Sequence, residues 1–152
     1  MDIQGGELSV LQSGRKTLSD AIAVIPELRF FRLYEGEPHW SEVDRELREQ
    51  GFALHKMDFT PPLPLRNSLR GQMKSAAFRN QVIDGDAVYI RNLDTIEDWS
   101  DEQVKHLAFA ASGVFASHDL VVHCLDQLVT RGVTEKDTPT RYFDALPKWM
   151  RK

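Results

Sequence analysis

The opening fourteen residues, DIQGGELSVLQSG after Met1, constrain the fold more than any other stretch. They predict the end of a strand, a tight turn at Gly5 and Gly6, and a short helix. Successive glycines let a backbone turn sharply and approach a neighbour without crowding from a Cβ atom. In the helix, Leu8 and Leu11 share one face, and Gly14 suits the C-terminal end. This sequence predicts a strand–turn–helix corner of an α/β sheet.

Such a corner admits two interpretations. In open α/β sheets ligands bind at the carboxyl ends of strands, which would point the Asp2 carboxylate and the Gln4 amide into a crevice. Glu7 would then lie in the first helical turn, where a carboxylate suits the helix dipole. The alternative is an ordinary corner whose polar residues are simply solvated. Spacing alone favours this second interpretation.

The residue pattern adds a resemblance. Three more segments follow the first in order: PELRFFRLYEGEP from Pro26, Glu42 to Phe52, and DAVYIR from Asp86. Together with DIQGGELSVLQSG they resemble FkbM-family methyltransferases over roughly residues 1–125. In that family the first segment closes the fourth strand of a Rossmann-like fold that binds S-adenosylmethionine. The resemblance implies an α/β fold, namely the C-terminal half of a Rossmann-like methyltransferase sheet with its last strands antiparallel.

The same resemblance implies an S-adenosylmethionine-dependent O-methyltransferase that acts on a small-molecule or saccharide acceptor. The family holds its cofactor mainly with a glycine-rich turn after its first strand and an acidic residue after its second. No segment of this sequence matches those elements, so we expect the chain alone to be incomplete and inactive. By resemblance, Asp2 and Glu27 are the expected catalytic residues, and Asp2, Gln4 and Glu7 the expected cofactor-binding residues. The alternative for Glu27 is a solvated strand end.

Two further hypotheses remain open. The segment from Ala21 would pair in the family with the fourth strand, and an exposed strand edge invites pairing with another chain. The chain is then a non-catalytic interaction module that forms a homodimer or complements an N-terminal half. The third hypothesis is a truncated gene product.

The remaining pattern predicts two domains, residues 1–93 and 94–152. The first has a long inner strand over residues 21–34, with Pro26 at a bulge. Both faces of this strand are expected to be partly buried, and the buried side chains include Phe31, Leu33 and Tyr34. A helix from Trp40, a strand over 52–59, a long loop over 60–85 and an antiparallel strand over 86–91 follow. The second domain begins with a capping box at Ser100 and Gln103, and forms an α-helical hairpin and a loosely docked tail.

Composition limits the function classes. The net charge of −4 argues against a nucleic-acid partner, and the basic run from Arg66 to Arg79 is interpreted as a solvated loop face. A single cysteine, Cys124, on an apolar helical stripe suits a reducing compartment and an inert thiol. No apolar run is long enough to span a bilayer and no signal-peptide pattern occurs, so we expect a cytoplasmic chain with no membrane partner.

Metal and acid–base sites elsewhere are not expected. His118 and His123 lie five residues apart on a helix and face different directions, and no other histidine has ligands at metal-binding spacing. Glu35 and Glu37 flank a Gly-Pro turn, where carboxylates are usually solvated. The sequence therefore predicts no metal site.

Overall fold

The structure, a computed structural model, describes all residues from 1 to 152. The chain divides into two compact units, Met1–Leu93 and Asp94–Lys152. The first unit mixes helices with a small antiparallel sheet, and the second is helical. This agrees with an α/β fold.

The first unit contains three helices and four strands. The helices are α1 (Glu7–Ser13), α2 (Arg15–Leu18) and α3 (Trp40–Glu49), and the strands are β1 (Ala23–Val24), β2 (Glu27–Arg29), β3 (Phe52–Phe59) and β4 (Asp84–Arg91). The predicted helix from Trp40 and strand over 52–59 are confirmed. Gly51 follows α3 with a φ of 84°, a conformation that favours glycine and ends the helix.

The sheet is built around β4. β1 and β2 both pair antiparallel with one side of β4, and β3 pairs antiparallel with the other. The antiparallel pairing predicted for the two last strands is confirmed. Leu28, Ala87 and Tyr89 point to one face and form a core with Leu11 of α1 and with α3. On the other face, β2 and β4 place the charged residues Glu27, Arg29, Asp84 and Asp86 in cross-strand register.

The long strand predicted over residues 21–34 is wrong in its extent and in its position. Pro26 divides it into the two- and three-residue strands β1 and β2, which confirms the expected irregularity at proline. Together they form one edge of the sheet. After Arg29 the chain leaves the sheet, because the N–H groups of Phe30 and Phe31 both donate to the carbonyl of Ile83. The predicted burial of Phe31, Leu33 and Tyr34 is wrong, since all three side chains are exposed.

Directly after α1, residues Arg15–Leu18 form a second helical turn, α2. Its end is fixed by Arg91 of β4, whose guanidinium donates to the carbonyls of Leu18, Ser19, Ala21 and Gln50. The same guanidinium lies 4.2 Å from the centre of the Phe52 ring. One strand residue thus ties the start of β1 to the end of α3, a link that local sequence does not reveal.

The predicted loop over residues 60–85 connects β3 to β4 as an ordered lobe. Leu63 and Gln81 form an antiparallel bridge at its base, with N–O distances of 2.9 and 3.0 Å. Two short 3₁₀ turns, Arg70–Gln72 and Ser75–Ala77, lie beyond that bridge. The strand β4 starts at Asp84, two residues earlier than predicted.

In the second unit, helices α4 (Asp101–Gly113) and α5 (His118–Thr130) pack together as predicted. The capping box is confirmed, with the Gln103 N–H donating to Ser100 Oγ at 3.2 Å. Inward positions on the two helices are buried, among them Val104, Leu107 and Cys124. Within the predicted tail, Thr138–Ala145 forms a helix, α6, that has no buried residue. Tyr142 of α6 hydrogen-bonds His118 of α5 at 2.7 Å. None of the helices is both long and apolar enough to cross a bilayer.

Candidate functional site

The glycine turn at the start of the chain is held by Glu7. Its Oε1 accepts the N–H of Ile3 at 2.9 Å, and its Oε2 accepts the N–H of Gly5 at 3.0 Å. The Glu7 residue is only 3% exposed. Because both oxygens are engaged by the backbone, a role of Glu7 toward a cofactor would act through the shape of the turn.

The turn itself uses two unusual backbone conformations. Gln4 and Gly5 have φ angles of 55° and 96°, and the second strongly favours glycine. A Cβ atom at Gly5 would lie 3.4 Å from Glu37 Cγ, which confirms the expected close approach to a neighbour. Gln4 donates from Nε2 to Oδ1 of Asp2 at 2.8 Å. Gln4 thereby orients the Asp2 carboxylate.

The Asp2 carboxylate lies beside Glu27. Met1 positions it, because the Met1 amino group donates to the Ile25 carbonyl at 2.6 Å and Glu27 N–H donates to the Met1 carbonyl at 2.9 Å. These two bonds flank Pro26 in the pattern of a parallel strand ladder. One carboxylate oxygen each of Asp2, Glu7 and Glu27 lie within 4.8 Å of one another. The structure therefore places the predicted residues Asp2, Gln4, Glu7 and Glu27 around one corner.

Arg29, two residues after Glu27, offsets part of the negative charge of this corner. Its guanidinium is almost buried and lies 2.9 Å from Glu27 Oε2 and 2.8 Å from Glu37 Oε1, and it also pairs with Asp84 of β4. Glu37 in turn accepts the N–H groups of Leu33 and Tyr34. We call Arg29 with Glu27, Glu37 and Asp84 the Arg29 cluster. In this cluster the Arg29 guanidinium forms an ion pair with the Glu27 carboxylate.

The two glutamates of this cluster have opposite pKa shifts. Burial raises the pKa of Glu27 to about 7; the nearby carboxylates of Asp2 and Asp84 add to the rise, and Arg29 opposes it. Burial also opposes ionisation of Glu37, but the two N–H groups and the Arg29 guanidinium outweigh it and lower the pKa. Glu37 is therefore a permanent anion at neutral pH. Glu27 exchanges its proton near neutral pH.

This arrangement suits proton transfer. A carboxylate with a pKa near the working pH accepts and releases a proton readily, and Asp2 beside it is exposed to solvent. The three carboxylates of the corner are also of the type that binds divalent cations, but those of Glu7 and Glu27 are already engaged by backbone N–H groups and by Arg29. We assign no metal to them, and the absence of a metal site stays a prediction.

Sequence reasoning missed Arg29, Glu37 and Asp84 as parts of this site. The interpretation of Glu37 as a solvated turn residue is wrong, since it is 3% exposed. The sequence offers no signal that singles out Arg29 and Glu37, because Arg32 and Glu35 lie between them and are exposed. Elsewhere the expectation of an inert thiol is confirmed, because burial raises the pKa of Cys124 to about 12.

The strand end predicted before Gly5 is wrong, because no strand precedes α1 and the first strand, β1, begins at Ala23. The fold and the site thus define an α/β unit in which an acidic turn–helix corner lies beside β2. Residues 1–54 match the family model described as the methyltransferase FkbM domain. Comparisons with curated proteins and with solved structures give no match. The matched segment is about a third of the chain, and it contains Asp2, Gln4, Glu7, Glu27, Arg29 and Glu37. It supports a methyltransferase family for the part of the chain that builds the corner.

Proposed function

We propose that the chain is part of an S-adenosylmethionine-dependent methyltransferase of FkbM type and supplies the acidic side of its active site. The observation that carries this proposal is the pairing of Asp2 with Glu27 inside the segment that matches the family. The reaction class is methyl transfer to a hydroxyl oxygen of a small-molecule or saccharide acceptor. In our proposal the chain corresponds to the C-terminal half of the Rossmann-like domain.

The negative charge of the corner is complementary to the positive charge of the cofactor. The S-adenosylmethionine sulfonium is a cation that supplies an electrophilic methyl group, and the carboxylates of Asp2 and Glu27 favour a positive charge nearby. Gln4 keeps Asp2 oriented, and Glu7 keeps the turn closed so that both carboxylates hold their positions.

The role of Glu27 in this proposal is to take the hydroxyl proton of the acceptor. Its pKa of about 7 leaves a large fraction ionised at neutral pH and still makes it a competent base. Arg29 prevents the carboxylate from turning away, because Glu37 and Asp84 hold the guanidinium on its other sides. Arg29 is therefore a positioning residue. Glu27 is the proposed base.

The rest of the cofactor site comes, in this proposal, from an N-terminal half that pairs with the edge formed by β1 and β2. The two hydrogen bonds of Met1 support this, since they already form one rung of a parallel ladder along that edge. The same edge also supports a second candidate, a non-catalytic module that forms a homodimer.

The experiment joins the chain behind a segment that carries the family's glycine-rich cofactor turn, and follows S-adenosylmethionine binding by calorimetry and methyl transfer to saccharide hydroxyls. We expect binding by the joined protein and no binding by the chain alone. In the joined protein, Glu27→Gln is expected to lower kcat by about 100-fold or more, the usual contribution of a general base. The matched control is Glu35→Gln, because Glu35 is exposed on the turn next to Glu37.

Two results would contradict the proposal. A folded joined protein that binds no cofactor removes the methyltransferase assignment, and a dimer of the chain alone in light scattering would then favour the interaction module. If the joined protein binds the cofactor and transfers methyl groups, and Glu27→Gln leaves kcat unchanged, then Glu27 is not the general base.

A further inference from the structure

The lobe between β3 and β4, residues 60–83, differs in charge from the rest of the chain. It contains Arg66, Arg70, Lys74 and Arg79 and no aspartate or glutamate, whereas the whole chain carries a net charge of −4. None of these four side chains forms an ion pair with a carboxylate. We call this segment the basic lobe.

The basic lobe also exposes large apolar side chains. Leu63, Leu65 and Leu69 are 52%, 60% and 53% exposed, and Phe78 is 45% exposed. Isolated exposed leucines are common on protein surfaces, but Leu65 and Phe78 line one pocket of the lobe together, so part of this exposed apolar surface is contiguous. The spacing of the basic residues alone predicts a solvated face, because it does not show that these apolar neighbours are exposed.

The lobe is ordered enough to present these side chains together. The bridge between Leu63 and Gln81 closes its base, and Thr60 N–H donates to the Asp84 carbonyl at 3.2 Å. Within the lobe, Arg70 Nη1 donates to Ser75 Oγ at 3.0 Å, and Asn67 Oδ1 accepts the N–H of Leu69 at 2.9 Å. These hydrogen bonds therefore hold the leucine and arginine side chains on one ordered segment.

Unpaired cations among exposed leucines match one kind of partner closely. An anionic bilayer surface offers phosphate and carboxylate head groups to the cations and an acyl boundary to the apolar side chains. A nucleic-acid backbone would pair with the cations but leave the leucines in water.

We propose that the basic lobe docks the chain onto an anionic lipid surface, with Leu65 and Leu69 at the acyl boundary and Arg66, Lys74 and Arg79 among the head groups. This differs from the expectation of no membrane partner, which rested on the lack of a spanning segment. Peripheral docking needs no such segment. The proposal is independent of methyl transfer, since no residue of the acidic corner takes part.

The test is co-sedimentation of the full chain with vesicles of phosphatidylcholine alone and of phosphatidylcholine with phosphatidylserine in equal parts. We expect partitioning at least about tenfold stronger to the anionic vesicles, because each basic residue near such a surface contributes a factor of about five. This preference is expected to weaken as salt is raised. Free inorganic phosphate at the same ionic strength is expected to compete no better than chloride.

Two pairs of variants identify the surface. Arg66→Glu with Arg79→Glu is expected to reduce partitioning by about 20-fold or more, since each change reverses a charge. Leu65→Ser with Leu69→Ser is expected to reduce it by about tenfold, through lost apolar burial. The matched controls lie outside the lobe: Lys16→Glu with Lys136→Glu for charge, and Phe109→Ser for exposed apolar area.

Three results would overturn the proposal. The first is equal partitioning to neutral and anionic vesicles, or none to either. The second is an effect of the control variants as large as that of the lobe variants. The third is a loss with the arginine pair and no change with the leucine pair, which would indicate a phosphate or nucleic-acid surface in place of a bilayer.

Discussion

The acidic corner of the first unit and the helical pair of the second unit are stabilised in different ways. In the second unit, α4 and α5 bury Val104, Leu107 and Cys124 at helical spacing, and each helix follows its local pattern. In the corner, the buried groups are Glu7, Arg29 and Glu37, and each needs a partner from elsewhere in the chain or from the turn. The comparison shows where stability comes from packing and where it depends on paired charges.

The largest effect on stability is expected from a substitution that removes the buried cation of the corner. Arg29→Leu leaves Glu37 buried without its cation, and we expect a loss of about 4 kcal/mol in the unfolding free energy of the first unit. Amide hydrogen exchange of β2 and β4 measures it. Arg32→Leu is the control, because Arg32 pairs with Glu42 at the surface and should cost at most about 1 kcal/mol. Equal effects of the two variants would refute a special role for the Arg29 cluster.

A slightly smaller effect is expected from a cavity in the helical pair. Leu107 is fully buried, and Leu107→Ala should cost about 3 kcal/mol, as large-to-small core changes do. Exchange protection is expected to fall in α4 and α5 and to remain unchanged in the first unit. Phe109→Ala on the same helix is the control, since Phe109 is 76% exposed and should change stability by less than about 0.5 kcal/mol.

The glycine turn gives the third effect. Gly5→Ala places a side chain at a φ of 96° and close to Glu37, so we expect a loss of about 1–2 kcal/mol. Gly71→Ala is matched, because its φ is not positive and nothing lies within 4 Å of the added Cβ. Denaturant unfolding of both variants measures the difference. A Gly5→Ala protein as stable as Gly71→Ala would contradict the description of the turn.

The last effect is a pH dependence of stability. Because the folded pKa of Glu27 is raised to about 7, the native state binds more protons than the unfolded state between pH 4.5 and 7. The contribution of Glu27 to stability therefore falls as pH rises through this window, by up to about 3 kcal/mol at about 1.4 kcal/mol per pKa unit. Glu27→Gln is expected to remove that fall, so the difference between variant and wild type should grow from pH 4.5 to 7. A constant difference would mean that Glu27 titrates normally.

Local patterns predicted much of the fold. The capping box at Ser100, the helix from Trp40 and the strand over 52–59 all depend on residues close in sequence, and each is confirmed. The errors lie where contacts between residues distant in sequence determine the ends of strands and helices. The Ile83 carbonyl accepts the N–H groups of both Phe30 and Phe31 where β2 ends early, and the Arg91 guanidinium donates to the Leu18 carbonyl at the end of α2.

Only part of the candidate site was predicted, again because contacts between distant residues are not visible in local sequence. Asp2, Gln4, Glu7 and Glu27 were selected by resemblance, and the structure brings them to one corner, although their proposed roles stay predictions. The Arg29 cluster joins residues of β2, of the turn at Glu37 and of β4, and no spacing rule links Arg29 to Asp84. Likewise the basic lobe was visible as charges, but the exposure of its leucines required the structure.

The proposed role of the acidic corner depends most on a Glu27 carboxyl that keeps its proton up to neutral pH beside Asp2. The direct measurement is a carbon-13 NMR titration of the Glu27 side-chain carboxyl in the full chain, in wild type and in Asp2→Asn. We predict a midpoint near pH 7 in wild type and a lower midpoint in the variant, because the Asp2 charge contributes to the shift. A wild-type midpoint near the ordinary value of 4.5, unchanged by Asp2→Asn, would contradict the proposed acidic corner.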